Sequence, residues 1–236
     1  MRAKPKTIFT GHFGSGKSEI AVNFALREAR EGRPAYFIDL DIVKPFFRSR
    51  MVRNLLLTSG VHMIIPTGEQ VYADLPIVLP RVKGIMKEPG VRVFLDVAGD
   101  PDGCRVLRSF QDALDPEEVE LMLVVNTSRP RTGDSASNMQ MLRSIEAVAN
   151  LKVAGVVANT HLMDETTPEI VEEGYARTVE FANGAGLRVE YVVAREDVAR
   201  RLDPERFACP VLPIETFIRP PFGPKPAGTR WSPIVV

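Results

Sequence analysis

The chain has 236 residues, 44% of them hydrophobic and 25% charged, enough to bury a sizeable core in one large α/β domain. Thirty basic residues balance thirty acidic ones, so no global charge draws it to nucleic acid or to an anionic membrane. No apolar run approaches the ~20 residues needed to cross a bilayer, and the two cysteines, Cys104 and Cys209, lie too far apart in sequence for a C-x-x-C site.

The first residues, MRAKPKT, lead straight into a predicted strand, so no secretory leader is expected and the reading is a cytoplasmic protein. That strand covers 6–11. The next residues, GHFGSGKS, fill every fixed position of the pattern G-x-x-x-x-G-K-[ST] from Gly11 to Ser18. A helix over 17–30 follows, with Ile20, Phe24 and Ala25 at helical intervals and charges opposite. Strand, glycine loop and helix is the context in which this pattern cradles phosphate. Gly11, Gly14 and Gly16 let the backbone of His12, Phe13 and Ser15 curl, so that successive N–H groups point inward. The helix N-terminus adds partial positive charge. Lys17 supplies a full charge to the β- and γ-phosphates, and Ser18 offers a hydroxyl to Mg²⁺.

A strand at 34–40 ends in Asp39, with Asp41 two residues on and Pro45 opening a helix over 46–58. Arg48, Arg50 and Arg53 on that helix either bind a second anion or form an ordinary solvated face; Phe46 and Phe47 are core anchors or a docking patch. A strand at 61–65 and a helix at 72–87 come next; Pro76 and Pro80 each remove a donor from that helix and are expected to bend it. The strand 91–97, VRVFLDV, carries an apolar run into Asp96, with Gly99 three residues on, the Walker B and D-x-x-G arrangement. Asp96 suits the Mg²⁺ shell, and a glycine at 99 lets a backbone N–H approach the γ-phosphate. Taken alone, either aspartate is also an ordinary strand-ending residue.

Further along, helices are expected at 103–114, 134–149 and 167–184, and strands at 119–126, 151–159 and 188–194. Arg129 and Arg131 follow the strand that ends in Asn126 and carry the same two readings as the arginines after Asp41, a second-anion or acidic-partner site or an ordinary solvated face. Alternating strands and helices predict a mostly parallel sheet covered on both faces, a three-layer α/β/α fold. The domain is read as 1–203. Six prolines between Pro210 and Pro226 mark 204–236 as an extended tail packed on the domain or on a partner.

The order of glycine loop, D-x-D segment, D-x-x-G segment and a later strand ending in Asn159 resembles the MinD/ParA/CobB class of P-loop NTPases, the SIMIBI class, over roughly residues 6–200. The resemblance implies a Mg²⁺-dependent ATPase switch, dimeric with ATP and relaxed with ADP, acting on a partner protein or cofactor. It makes Lys17 and Asp41 the catalytic pair, with Asp41 positioning the attacking water; Ser18, Asp96 and Asp41 surround the metal, and Asn159 meets the adenine edge. Where many members carry a signature lysine after the first loop glycine, this chain has His12, and a histidine carries little charge at neutral pH. Cys104 falls near a cluster cysteine of the nitrogenase iron protein, but Val125 and Asn126 occupy the place of the second, and one thiolate per subunit cannot hold such a cluster. Guanine-reading members carry N-K-x-D; here Thr160 and Leu162 stand at the Lys and Asp positions, which favours ATP. DNA binding has little support from the balanced charge. The alternatives are a P-loop kinase using Asp41 as base toward a hydroxyl or small-molecule acceptor, and a nucleotide-binding regulator without turnover.

Overall fold

The computed structural model describes residues 4–41, 45–64 and 71–217, with backbone only for 45–51 and 71–77. Eight strands form one parallel sheet in the order β3-β2-β4-β1-β5-β6-β7-β8. They are β1 (Lys6–Thr10), β2 (Ala35–Asp39), β3 (His62–Ile64), β4 (Arg92–Asp96), β5 (Val119–Val125), β6 (Val153–Ala158), β7 (Val189–Arg195) and β8 (Val211–Ile214). The helices are α1 (Lys17–Arg30), α2 (Pro45–Thr58), α3 (Val71–Lys87), α4 (Pro101–Cys104), α5 (Ser135–Ala149), α6 (Pro168–Gly184) and α7 (Glu196–Ala199).

The central strands are near-continuous apolar runs because both faces of the sheet are covered. On one face Phe9, Phe37, Phe94, Met122 and Val124 pack against Ile20, Ala21, Val22, Ala25 and Leu26 of α1 and Val52 and Leu56 of α2. On the other, Ile8, Leu95, Leu121 and Leu123 meet Val82, Ile85 and Met86 of α3 and Leu142, Ile145 and Ala149 of α5. The α/β architecture expected from the alternation is the one found. β1 lies between β4 and β5, so the loop leaving it emerges at the middle of the carboxyl edge, with strand ends on both sides.

Two segments differ from the sequence reading. The expected helix 103–114 is the single turn α4, capped by Asp100 on Gly103 N at 2.8 Å, followed by a 3₁₀ stretch over Arg105–Ala113. The stretch is kinked at Phe110, whose backbone is non-helical (φ −134°, ψ 26°), and Leu107, Phe110 and Ala113 are all buried. β8 lies within the stretch read as the extended tail and pairs with β7, Val192 opposite Val211 through Arg195 opposite Ile214. Beyond it, Asn23 of α1 exchanges two hydrogen bonds of 2.9 Å with the backbone of Glu215, Arg30 pairs with the Glu215 carboxylate, and Phe217 N donates to Glu19. α3 runs 17 residues across Pro76 and Pro80. The side chains of Phe46, Phe47, Arg48 and Arg50, and the tail from 218 onward, lie outside the described residues.

Candidate functional site

The loop Gly11–Ser18 joins the carboxyl end of β1 to α1, whose first residue is Lys17. Gly16 caps the helix with φ 88°, a left-handed conformation that few other residues hold, and a Cβ there would lie 2.2 Å from Asn159 Nδ2. The loop closes on itself through Ser15 N donating to His12 O at 2.9 Å. Lys17, Ser18 and Ser15 are buried, whereas Phe13 stands 56% exposed at the rim. His12 is partly exposed, its Nδ1 facing Phe13 O at 3.1 Å.

The two aspartate segments converge on Lys17. Its ammonium donates to Asp41 Oδ2 at 2.8 Å and lies 4.0 Å from Asp96 Oδ1. Asp39 and Asp96 are register partners across β2 and β4, Leu40 N donates to Asp96 O at 2.8 Å, and Asp39 Oδ1 accepts from Asp41 N at 3.0 Å. Asp39 thus shapes the turn that presents Asp41. Gly99 is pressed against the loop itself: a Cβ built on it would lie 2.1 Å from Gly11 O and 2.9 Å from His12 N. The D-x-x-G segment and the phosphate loop are therefore in backbone contact. Ser18, Asp41 and Asp96 supply one hydroxyl and two carboxylates around Lys17, oxygen donors of the kind a hard cation such as Mg²⁺ takes. Among the described residues no group of three or more His, Cys, Asp or Glu side chains forms a metal cage.

On the other side of the loop stand the ends of β5 and β6. Asn159 Nδ2 donates to Ser15 O at 2.7 Å, so this residue braces the loop. Asn126, fully buried, donates to Gly14 O (3.3 Å) and His161 O (3.2 Å) and accepts from Ser128 N (3.0 Å) and His161 N (3.2 Å). The sequence reading treated Asn126 only as a strand end and passed over His161. The available signal was that two apolar runs, VELMLVV and VAGVVA, both stop at an asparagine. His161 sits beside Gly14, Gly16 and Arg129, and burial first, with the Arg129 charge second, pushes its imidazole down to about 4.

Cys104 is wholly buried, donates to Ala98 O at 2.9 Å and lies 3.5 Å from Thr10 Oγ1. Burial raises its thiol to about 11, so it is an inert packing residue at neutral pH. Arg53 is exposed on α2. Among the described residues no helix is long and apolar enough to cross a membrane.

The strand order with the glycine loop at its centre decides the comparison. The chain has the α/β P-loop NTPase-like fold of FtsY. Chloroplast FtsY from Physcomitrella patens superposes with a TM-score of 0.54 at 17% identity, covering 81% of this chain and 59% of that one. The cell division protein FtsY of Thermotoga maritima gives 0.54 at 15%, covering 82% and 63%. The signal recognition particle receptor FtsY of Elizabethkingia anophelis in complex with GDP gives 0.50 at 17%, covering 81% and 57%. The chain thus spans about three fifths of the length of these FtsY structures. At this identity the likeness is one of fold. No family model matches the chain, and no curated protein matches it.

Proposed function

We propose that the chain is a Mg²⁺-dependent, ATP-binding and ATP-hydrolysing switch that regulates or matures a partner protein or cofactor. The observation that carries this reading is the buried Lys17 at the loop, held between Asp41 and Asp96 at the carboxyl edge of the sheet. Backbone N–H groups of residues 13–18 and the N-terminus of α1 cradle the phosphates. Ser18 and Asp96 would hold a Mg²⁺ ion, which would supply positive charge against the transferred phosphoryl group. Lys17 does the same from the loop side, and Asp41 orients the attacking water.

The Lys17–Asp41 contact gives this reading its switch. Phosphates and Asp41 compete for one ammonium, so an incoming nucleotide frees Asp41 toward the water. Gly99, in contact with Gly11, couples the end of β4 to the same event. Thr160 and Leu162, in place of the lysine and aspartate that read guanine, favour adenine. His12 in place of the signature lysine weakens any dependence on a residue reaching across a dimer. The MinD/ParA/CobB resemblance supports ATP-linked dimerisation, and FtsY with bound GDP supports a nucleotide at the loop.

The test is light scattering with Mg²⁺–ATP, Mg²⁺–ADP and no nucleotide, with phosphate release measured in parallel. A mass that doubles only with ATP, persists in Asp41→Ala and is lost in Lys17→Ala supports the switch. A mass indifferent to nucleotide, with ATP converted to ADP only when a hydroxyl acceptor is added and the phosphoryl group recovered on that acceptor, replaces it with the kinase.

A further inference from the structure

The carboxyl edge divides at β1. Asp39 and Asp96 end β2 and β4, and Asp41 follows β2, on one side of the loop-bearing strand; Asn126, Arg129, Asn159 and His161 follow β5 and β6 on the other. A nucleotide in the loop therefore turns its terminal phosphate toward Lys17 and the carboxylates, and its nucleoside toward the β5–β6 side.

Arg129 stands on that second side in a fixed turn: its N–H donates to Asn126 O at 3.2 Å, and its carbonyl accepts from Thr132 N at 3.0 Å. Its guanidinium lies on the loop, since a Cβ built at Gly14 would be 3.1 Å from Arg129 Nε and 3.5 Å from Cζ. Nε is buried and has no hydrogen-bond partner, and among the described residues no carboxylate pairs with this guanidinium. Other half-buried arginines of the chain do have carboxylates: Arg33 has Glu28, and Arg195 has Asp164 and Asp197. A guanidinium is always charged, and burying part of it without an anion is costly. Among the described residues no acidic side chain relieves that cost, and the imidazole of His161 feels the Arg129 charge.

We infer that Arg129 is a phosphate-binding residue, its guanidinium meeting the nucleoside-proximal phosphate of a bound nucleotide from outside the loop. It supplies from within one chain a second cation that the loop, with His12 after its first glycine, lacks. The inference rests on the nucleotide reading above and adds to it a residue, a phosphate and a side of the loop.

The experiment is titration of the full chain with N-methylanthraniloyl-ADP, the ATP analogue and the labelled nucleoside, using wild type, Arg129→Gln, Arg129→Lys and Lys17→Ala. Arg129→Gln is expected to weaken diphosphate and triphosphate by the same factor, about tenfold, and to leave the nucleoside unaffected; Arg129→Lys recovers part of the loss. Unchanged diphosphate affinity in Arg129→Gln, beside a loss in Lys17→Ala, overturns the assignment and leaves the nucleotide reading standing. A loss confined to the triphosphate also overturns it, because it puts Arg129 at the terminal phosphate. Wild type that takes up neither labelled ADP nor labelled GDP overturns the nucleotide reading itself, and this inference with it. Should Arg129→Gln fail to fold, ¹⁵N spectra of wild-type arginine Nε–H groups decide: one resonance moves with ADP and not with adenosine, and no movement refutes the contact.

Discussion

His161 makes the fold sensitive to mild acid. In the unfolded chain its imidazole takes a proton near 6.5. In the native protein burial, helped by the Arg129 charge, delays this to about 4. Between these two values the unfolded state holds more protons than the native one, so stability rises with pH across the window. The contribution is complete above about 6.5 and is lost progressively as pH falls toward 4. From pH 7 to pH 5 one such group costs about 2 kcal/mol. Urea unfolding of wild type and His161→Gln at both pH values isolates it, because the other titrating groups are common to the two proteins. The wild type should lose about 2 kcal/mol more than the variant between pH 7 and 5. An equal loss in both would refute the burial argument. The charge argument has its own check: in Arg129→Gln the His161 resonance should titrate at higher pH, since a neighbouring cation is gone.

Two substitutions test the scaffold behind the loop. Gly99→Ala puts a methyl group 2.1 Å from the Gly11 carbonyl oxygen, a backbone atom that must yield by about 1 Å; a loss of about 1–3 kcal/mol in thermal or urea unfolding is expected, with nucleotide affinity falling further than stability. Asn126→Ala removes the partner of Gly14 O, Ser128 N and both backbone groups of His161, and should cost about 2–4 kcal/mol, with faster hydrogen exchange at Ser128 and His161 as the local readout.

The sequence announces the centre of this molecule more clearly than its margins. Lys17 begins α1 and Arg30 ends it in both readings, because the glycine loop and the charge pattern are local signals. Asp41 and Asp96 could be paired with Lys17 from motif order, since parallel strands bring their carboxyl ends to one edge whatever lies between them. β8 was hidden for the opposite reason. Its four residues, VLPI, include Pro213 and follow Pro210, a texture that reads as irregular; only the edge of β7 makes a strand of it. The bracing role of Asn126 was hidden in another way. Its partners, Gly14 and His161, lie 112 and 35 residues from Asn126, and no spacing rule links residues so far apart.

The clasp between α1 and the segment after β8 bears on how the chain matures during synthesis. Asn23 waits for Glu215, a residue 192 positions later, and Leu212, Ile214 and Phe217 complete the apolar cluster beneath the same helix. While the ribosome is still reading the intervening strands, the helix that carries Lys17 lacks its outer brace and part of its hydrophobic cover. Contacts this distant form late, because the loop they close must be ordered first. The brace and that share of the cover therefore reach the helix that carries Lys17 only after residue 217 has emerged.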